Sequence, residues 1–180
     1  MPSRNSSQPV AIEMLIADHR SVKELFKQYE DEKESDEGIK RAIAEKICGD
    51  LTVHARVEEE LFYPWLRENL KKDDMEMVEE AEVEHAGAKD LIAQIEDADE
   101  VDATYDAKVK VLGEYIDHHV KEEENEIFPK VKSKNEELDA LGQEMMARKV
   151  ELMEELGLTD EPPVAPPKGA KGSGSSQPSR

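Results

Sequence analysis

HARVEEELFYP at residues 54–64 returns 65 residues later as HVKEEENEIFP at residues 119–129. In both stretches a carboxylate, Glu58 or Glu123, follows the histidine by four residues, and a proline, Pro64 or Pro129, follows that carboxylate by six. Residues four apart on a helix share a face, with Cβ atoms about 5–6 Å apart. His54 and Glu58 therefore point the same way, as do His119 and Glu123. Both pairs lie in line with apolar stripes: Ile39, Ile43, Ile47, Leu61 and Trp65 for the first, Val109, Leu112, Ile116 and Ile127 for the second. An unpaired imidazole or carboxylate on a core-facing stripe is costly to bury.

The repeat extends upstream. DHRSVKELFKQYE at residues 18–30 aligns with EHAGAKDLIAQIE at residues 84–96, with an offset of 66 residues. Five of the 13 positions are identical and five more keep their acidic or apolar class, so the chain reads as a duplicated helical hairpin. His19 and His85 are equivalents, and so are His54 and His119.

Apolar periodicity predicts five helices, over residues 10–32, 37–70, 75–96, 102–131 and 135–156. Short polar connections at 33–36 and 71–74 favour antiparallel neighbours. The expected fold is all-α: an antiparallel up-down-up-down four-helix bundle over residues 10–131. An additional C-terminal helix, within 132–158, would pack on the outside and end at Gly157. Residues 1–9 and 159–180 read as disordered. In 161–180, 12 of 20 residues are Pro, Ser or Gly, a composition that cannot bury enough apolar surface to order itself.

Composition narrows the function. A formal net charge of −20 repels phosphate backbones and anionic lipid, which argues against nucleic-acid and membrane-surface partners. No apolar run approaches a membrane span, and the polar N-terminus has no signal-peptide core, so a cytoplasmic location is expected. The single cysteine, Cys48, excludes an internal disulfide and any cysteine-rich metal site within one chain. It reads as an ordinary helix residue.

Four of the five histidines occupy stripe positions, one on each of the first four helices, and two carry an acid at i+4. A lone core histidine is more often structural. Four together with Glu58 and Glu123 favour a metal site over a buried polar network. The set His19, His54, Glu58, His85, His119 and Glu123 offers four imidazoles and two carboxylates. That suits two divalent ions, each with two histidines and a share of both carboxylates, and a nitrogen–oxygen set of this kind suits iron and related metals. Two readings stay open. His118 lies on a neighbouring face with Val111 and Tyr115, and its pairing with Glu122 or Glu123 is an alternative register. Glu82 completes a Glu-x-x-His with His85, but Ile16, Leu51 and Ile116 stand at that position before the other three, which weakens a ferritin-like reading.

These motifs, with His19 and the Glu84–His85 pair, resemble the hemerythrin family, in particular the bacterial domains known for their His-His-Glu cation-binding motif. The likeness covers roughly residues 10–131. It implies an antiparallel four-helix bundle with two non-haem iron ions, other divalent metals being possible. The implied ligands are His19, His54, Glu58, His85, His119 and Glu123, with the two glutamates bridging. Oxygen-carrying members have a further histidine one turn before the one on the third helix, where this chain has Ala81. Their fourth-helix carboxylate is an Asp five residues after its histidine, whereas Glu123 follows His119 by four. The resemblance therefore implies a more open site that binds or senses dioxygen, nitric oxide or iron rather than one that carries oxygen. The competing readings are a di-iron enzyme (oxidase, peroxidase or nitric oxide reductase) and a metal-free helical interaction protein.

Overall fold

The computed structural model describes residues 8–32 and 36–163. Most of both segments expected to be disordered, and residues 33–35 of one connection, lie outside them. Among the described residues the chain is all-helical. We label the helices α1 (Val10–Asp31), α2 (37–69), α3 (Met75–Glu96), α4 (103–131) and α5 (Asn135–Leu156), with a single 3₁₀ turn, Lys72–Asp74, before α3.

Local chemistry sets the ends. Asp36 accepts the Gly38 amide at 2.7 Å and starts α2. Asp102 accepts the Tyr105 amide at 2.8 Å and starts α4. Each satisfies an amide that the first helical turn leaves without a carbonyl. Helix α1 borrows its cap: the Val10 amide donates to Asp139 Oδ1 of α5 at 2.9 Å. Helix α5 ends at Gly157, whose φ of 65° is left-handed, and Leu158 donates back to the Met153 carbonyl at 2.8 Å.

The apolar side chains form two separate cores. One joins the start of α1 (Ala11, Ile12, Leu15) to the end of α2 (Phe62, Tyr63, Leu66), the start of α3 (Val78, Ala81), the end of α4 (Ile127, Phe128, Val131) and α5 (Leu138, Leu141, Met145, Leu152). The other joins the end of α1 (Val22, Leu25, Tyr29) to the start of α2 (Ile43, Ile47), the end of α3 (Ile92, Ile95) and the start of α4 (Tyr105, Val109, Leu112). The histidines fall between these cores. At roughly 25 cal/mol per Å² of apolar surface removed from water, the two cores hold the helices around that polar layer.

The sequence expectation of unbroken helices over 37–70 and 102–131 needs a correction. Both open into a π-helical turn, at Glu58–Phe62 and Glu123–Ile127. There the Tyr63 amide reaches the Glu58 carbonyl and the Phe128 amide reaches the Glu123 carbonyl, five residues back rather than four. Pro64 and Pro129 supply the reason. Proline has no N–H to donate, and its ring presses on the carbonyl four residues earlier, so the preceding turn widens to accommodate it. The extra residue rotates the rest of α2. Phe62, Tyr63 and Leu66 enter the core, while Leu61 and Trp65, expected on the stripe, are only partly buried.

Helix α5 packs closely on α1. A Cβ on Gly142 would lie 2.5 Å from the Ala11 amide nitrogen and 2.7 Å from Val10 Cγ1. The first neighbour is backbone and cannot swing aside. Gly142→Ala is therefore expected to destabilise the fold by about 1–3 kcal/mol, despite alanine's better helix propensity. A urea titration followed by circular dichroism checks this; an unchanged or raised midpoint would contradict the close approach. No helix among the described residues is long and apolar enough to cross a membrane.

Candidate metal centre

His19 comes from α1, His54 and Glu58 from α2, His85 from α3, and His119 and Glu123 from α4, and all six are buried. The two glutamates are almost wholly excluded from solvent, at 0% and 1% exposure, so each must meet a partner or pay the full cost of desolvation. Both begin the π-turns, which aim the residues after them: Tyr63 and Phe128 follow directly.

The geometry repeats as the sequence does. Glu58 Oε2 stands 3.2 Å from His54 Nε2 and 3.3 Å from His85 Nε2. Glu123 Oε2 stands 3.3 Å from His19 Nε2 and 3.6 Å from His119 Nε2. Each carboxylate thus joins one histidine from each half of the chain. Donor atoms of His19, His54, Glu58 and Glu123 all lie within 4.8 Å of one another, and so do those of Glu58, His85 and His119. Two groups of donors meet at Glu58.

The other ring nitrogen of each of these four histidines faces an acid. His19 Nδ1 pairs with Glu124 at 2.9 Å, His54 Nδ1 with Asp18 at 3.3 Å, His85 Nδ1 with Glu59 at 3.0 Å and His119 Nδ1 with Glu84 at 2.8 Å. A proton held at Nδ1 by an outer carboxylate leaves the Nε2 lone pair facing inward. The pattern is a ring: each acid is the sequence neighbour of one site residue and holds the histidine of a different helix. Lys149 of α5 reaches Asp18 at 2.6 Å, and Lys89 reaches Glu59 at 2.6 Å.

Among the described residues, four buried atoms have no hydrogen-bond partner: His19 Nε2, His54 Nε2, Glu58 Oε1 and Glu123 Oε2. Buried polar atoms are nearly always satisfied, so orphans of this kind require an explanation. All four sit on the residues of one donor group, and all can donate an electron pair to a cation. Imidazole nitrogen and carboxylate oxygen together suit iron, manganese, cobalt or zinc, so the residues fit a divalent metal.

The halves differ in one respect. Tyr63 Oη donates to Glu123 Oε1 at 3.0 Å and lies 3.2 Å from His85 Nε2. Its repeat equivalent, Phe128, has no hydroxyl and stacks on His19 with ring centroids 6.1 Å apart. Burial, with the charges of Glu123 and Glu58, holds the Tyr63 hydroxyl well above its ordinary range, so it keeps its proton.

Electrostatics bind the set together. Burial disfavours a charged His54, but the Glu58 carboxylate beside Nε2 and the hydrogen bond to Asp18 outweigh it and push its pKa well up. For His85 burial is outweighed by Glu58 and Glu59, which raise it to about 9. His119 is raised by Glu123 and Glu84 against burial. Glu58 shifts the opposite way: burial would raise it, yet His54 and His85 hold it well below the usual carboxylate range. In protein stripped of metal, the His85 contribution to stability is complete below pH 6.5 and is lost as pH rises through about 9. The Glu58 contribution is present above pH 4.5 and is lost in acid. Metal must displace the histidine protons. Apparent metal affinity is therefore expected to fall by at least about 100-fold from pH 8 to pH 6, tenfold per unit for each proton displaced. Competition against a chelator at fixed pH values measures it, and a flat profile would count against displacement of these protons.

The remaining sequence candidates lie outside the cluster. His118 is exposed on its own side of α4, 3.1 Å from Glu122 and 3.4 Å from Glu84. Glu82 faces outward and pairs with Arg67 at 2.8 Å. Cys48 is buried, and burial pushes its thiol up to about 12, far from the centre's chemistry. Sequence reasoning missed Tyr63 and the four outer acids. The signal for the acids was present, since Asp18 matches Glu84 and Glu59 matches Glu124 in the repeat. Their partners, however, lie across helices.

The described residues are all-helical, with histidine and carboxylate clusters between two apolar cores whose donor atoms could hold a metal ion. The profile of the hemerythrin HHE cation binding domain matches residues 10–131, and the chain belongs to that family. A protein described as a DNA nickase, from Nostoc sp. (strain PCC 7120), is 26% identical over 147 residues, covering 81% of this chain and 40% of its own length. No solved structure matches the chain.

Proposed function

We propose that residues 10–131 form an antiparallel up-down-up-down bundle that holds two non-haem iron ions and binds or senses dioxygen, nitric oxide or iron. His19, His54, Glu58, His85, His119 and Glu123 are the ligands, with Glu58 and Glu123 shared between the metals, and the protein works in the cytoplasm. One observation supports the reading: the inward Nε2 atoms and carboxylate oxygens converge, and four of these buried atoms make no hydrogen bond within the described residues. The two cores support the bundle, because the start of each of α1 to α3 packs with the end of the next.

Bound iron supplies an open coordination position and one-electron redox chemistry. The chain's own residues do the rest. The outer carboxylates fix each imidazole, the apolar cores flank the donors on both sides, and Tyr63 holds a proton at Oη beside His85 and Glu123. Metal analysis of protein purified without oxygen tests the reading. Two irons per chain, and an absorption band near the ultraviolet that changes with dioxygen or nitric oxide, are expected. Absence of stoichiometric metal after anaerobic reconstitution would sink it. His118→Ala should leave metal content unchanged.

The Tyr63 hydroxyl favours a second reading, a di-iron enzyme such as an oxidase, peroxidase or nitric oxide reductase, for which it is a placed proton donor. On that reading Tyr63→Phe retains metal but lowers turnover of peroxide or nitric oxide by about 10²–10⁴-fold. Equal rates in both proteins, or none in either, exclude it. The likeness to a nickase suggests DNA cleavage, which the net charge of −20 opposes; failure to nick supercoiled plasmid with metal present disposes of it.

A further inference from the structure

Above the four histidine rings lies a cavity of about 320 Å³. Val22 and Leu25 of α1, Leu51 of α2, Ile92 of α3, Ile116 of α4 and Met153 of α5 line its walls. Residues that follow α5 complete the lining. Leu158 is seated on Gly49, where a Cβ would lie 2.9 Å from Leu158 Cδ2. Lys46 Nζ holds the Thr159 carbonyl at 2.9 Å, and Asp160, Pro162 and Pro163 beyond it line the cavity. This segment lies beyond residues 10–131, the span of the family match.

The size is wrong for a diatomic molecule alone. A dry apolar cavity of about 150 Å³ accepts benzene, and small-molecule sites begin at about 300 Å³. The chemistry of the walls narrows the occupant. The cationic side chains around the cavity are already paired: Lys46 with Asp50 at 2.6 Å, Lys149 with Asp18 at 2.6 Å, Lys89 with Glu59 at 2.6 Å, and the histidines with Glu58 and Glu123. None of these remains unpaired to select an anion, and Glu24, which also lines the cavity, repels one.

We propose that this cavity is a binding site for a neutral, largely apolar organic molecule of about two fused rings, seated against His19, His54, His85 and His119 beside the 159–163 segment. The occupant's apolar surface replaces water on the aliphatic walls, and its inner edge meets the imidazoles. The site thus sets an organic compound beside the proposed iron centre, in addition to any gas. Binding at the walls does not require iron, so it stands or falls separately from the metal reading.

The test is titration of the full-length chain with 2-fluoronaphthalene, followed by fluorine NMR, in both metal-stripped and iron-loaded samples. Saturable binding of one probe per chain is expected in each, with fluorine–proton Overhauser contacts to the Leu51 and Ile92 methyl groups. Leu25→Trp and Ile92→Trp fill the cavity from opposite walls and should weaken binding at least tenfold. No saturable binding by folded wild-type protein overturns the proposal, as do contacts to methyl groups elsewhere. Unchanged affinity in Trp variants that keep their helical circular dichroism also overturns it. Should both variants unfold, the Overhauser contacts in the wild type decide. Metal content measured on the same samples reports on the iron centre independently.

Discussion

Glu58→Ala is expected to reduce bound iron from two per chain to well under one, with metal affinity at least about 100-fold weaker. Glu58 is the one residue common to both donor groups. Its Oε2 stands between His54 Nε2 and His85 Nε2, and its Oε1 is one of the orphaned atoms. Alanine removes a donor from both groups at once and also removes the charge that offsets two cations. Glu58→Gln keeps the shape and loses the charge, so it should fail nearly as badly. The change leaves a small buried void, which the surrounding apolar cores should tolerate well enough for the helices to persist. Metal analysis with circular dichroism on the same sample separates loss of iron from loss of fold. A folded Glu58→Ala protein with two irons would remove Glu58 from the site.

The second large effect is thermal. Metal that binds only the folded chain stabilises it by about 4 kcal/mol when present at roughly a thousand times its dissociation constant. For a chain of this size each kcal/mol moves the midpoint by about 2–4 °C. Stripping metal is therefore expected to lower the melting temperature by roughly 8–16 °C, most steeply above pH 7. There the stripped protein also loses the pairing of protonated His85 with Glu58 as pH rises through about 9. The same scan on the His118→Ala protein should match the wild type, because His118 lies on the surface. An identical melting temperature with and without metal would favour a buried histidine–carboxylate network as the reason for these residues.

Much of this was legible in the amino-acid order. Four histidines on apolar stripes, two with an acid one turn later, leave few options, because buried charge without a partner is too costly to keep. The helices followed from the same periodicity. Less legible was what depends on contacts between helices. Asp18 sits beside His19 in the chain but holds His54, and Glu84 sits beside His85 but holds His119. Spacing along one helix says nothing about such crossed pairings. The π-turns were hidden for a different reason. Pro64 and Pro129 announce a local disturbance, but not whether a helix answers it by kinking, ending or admitting one more residue. Here it admits one, and that rotation brings Tyr63 to Glu123 and moves Trp65 toward the edge. The seat of α5 depended on Gly142, whose importance is visible only once Val10 and Ala11 are beside it.

Crystals of protein reconstituted with ferrous iron in the absence of oxygen, measured on both sides of the iron absorption edge, would place the metal directly. Two anomalous peaks are expected, one among His19, His54 and the two glutamates and the other beside His85 and His119. Peaks confined to the surface around Glu84, His118 and Glu122, or none at all at full reconstitution, would contradict a buried centre at this position.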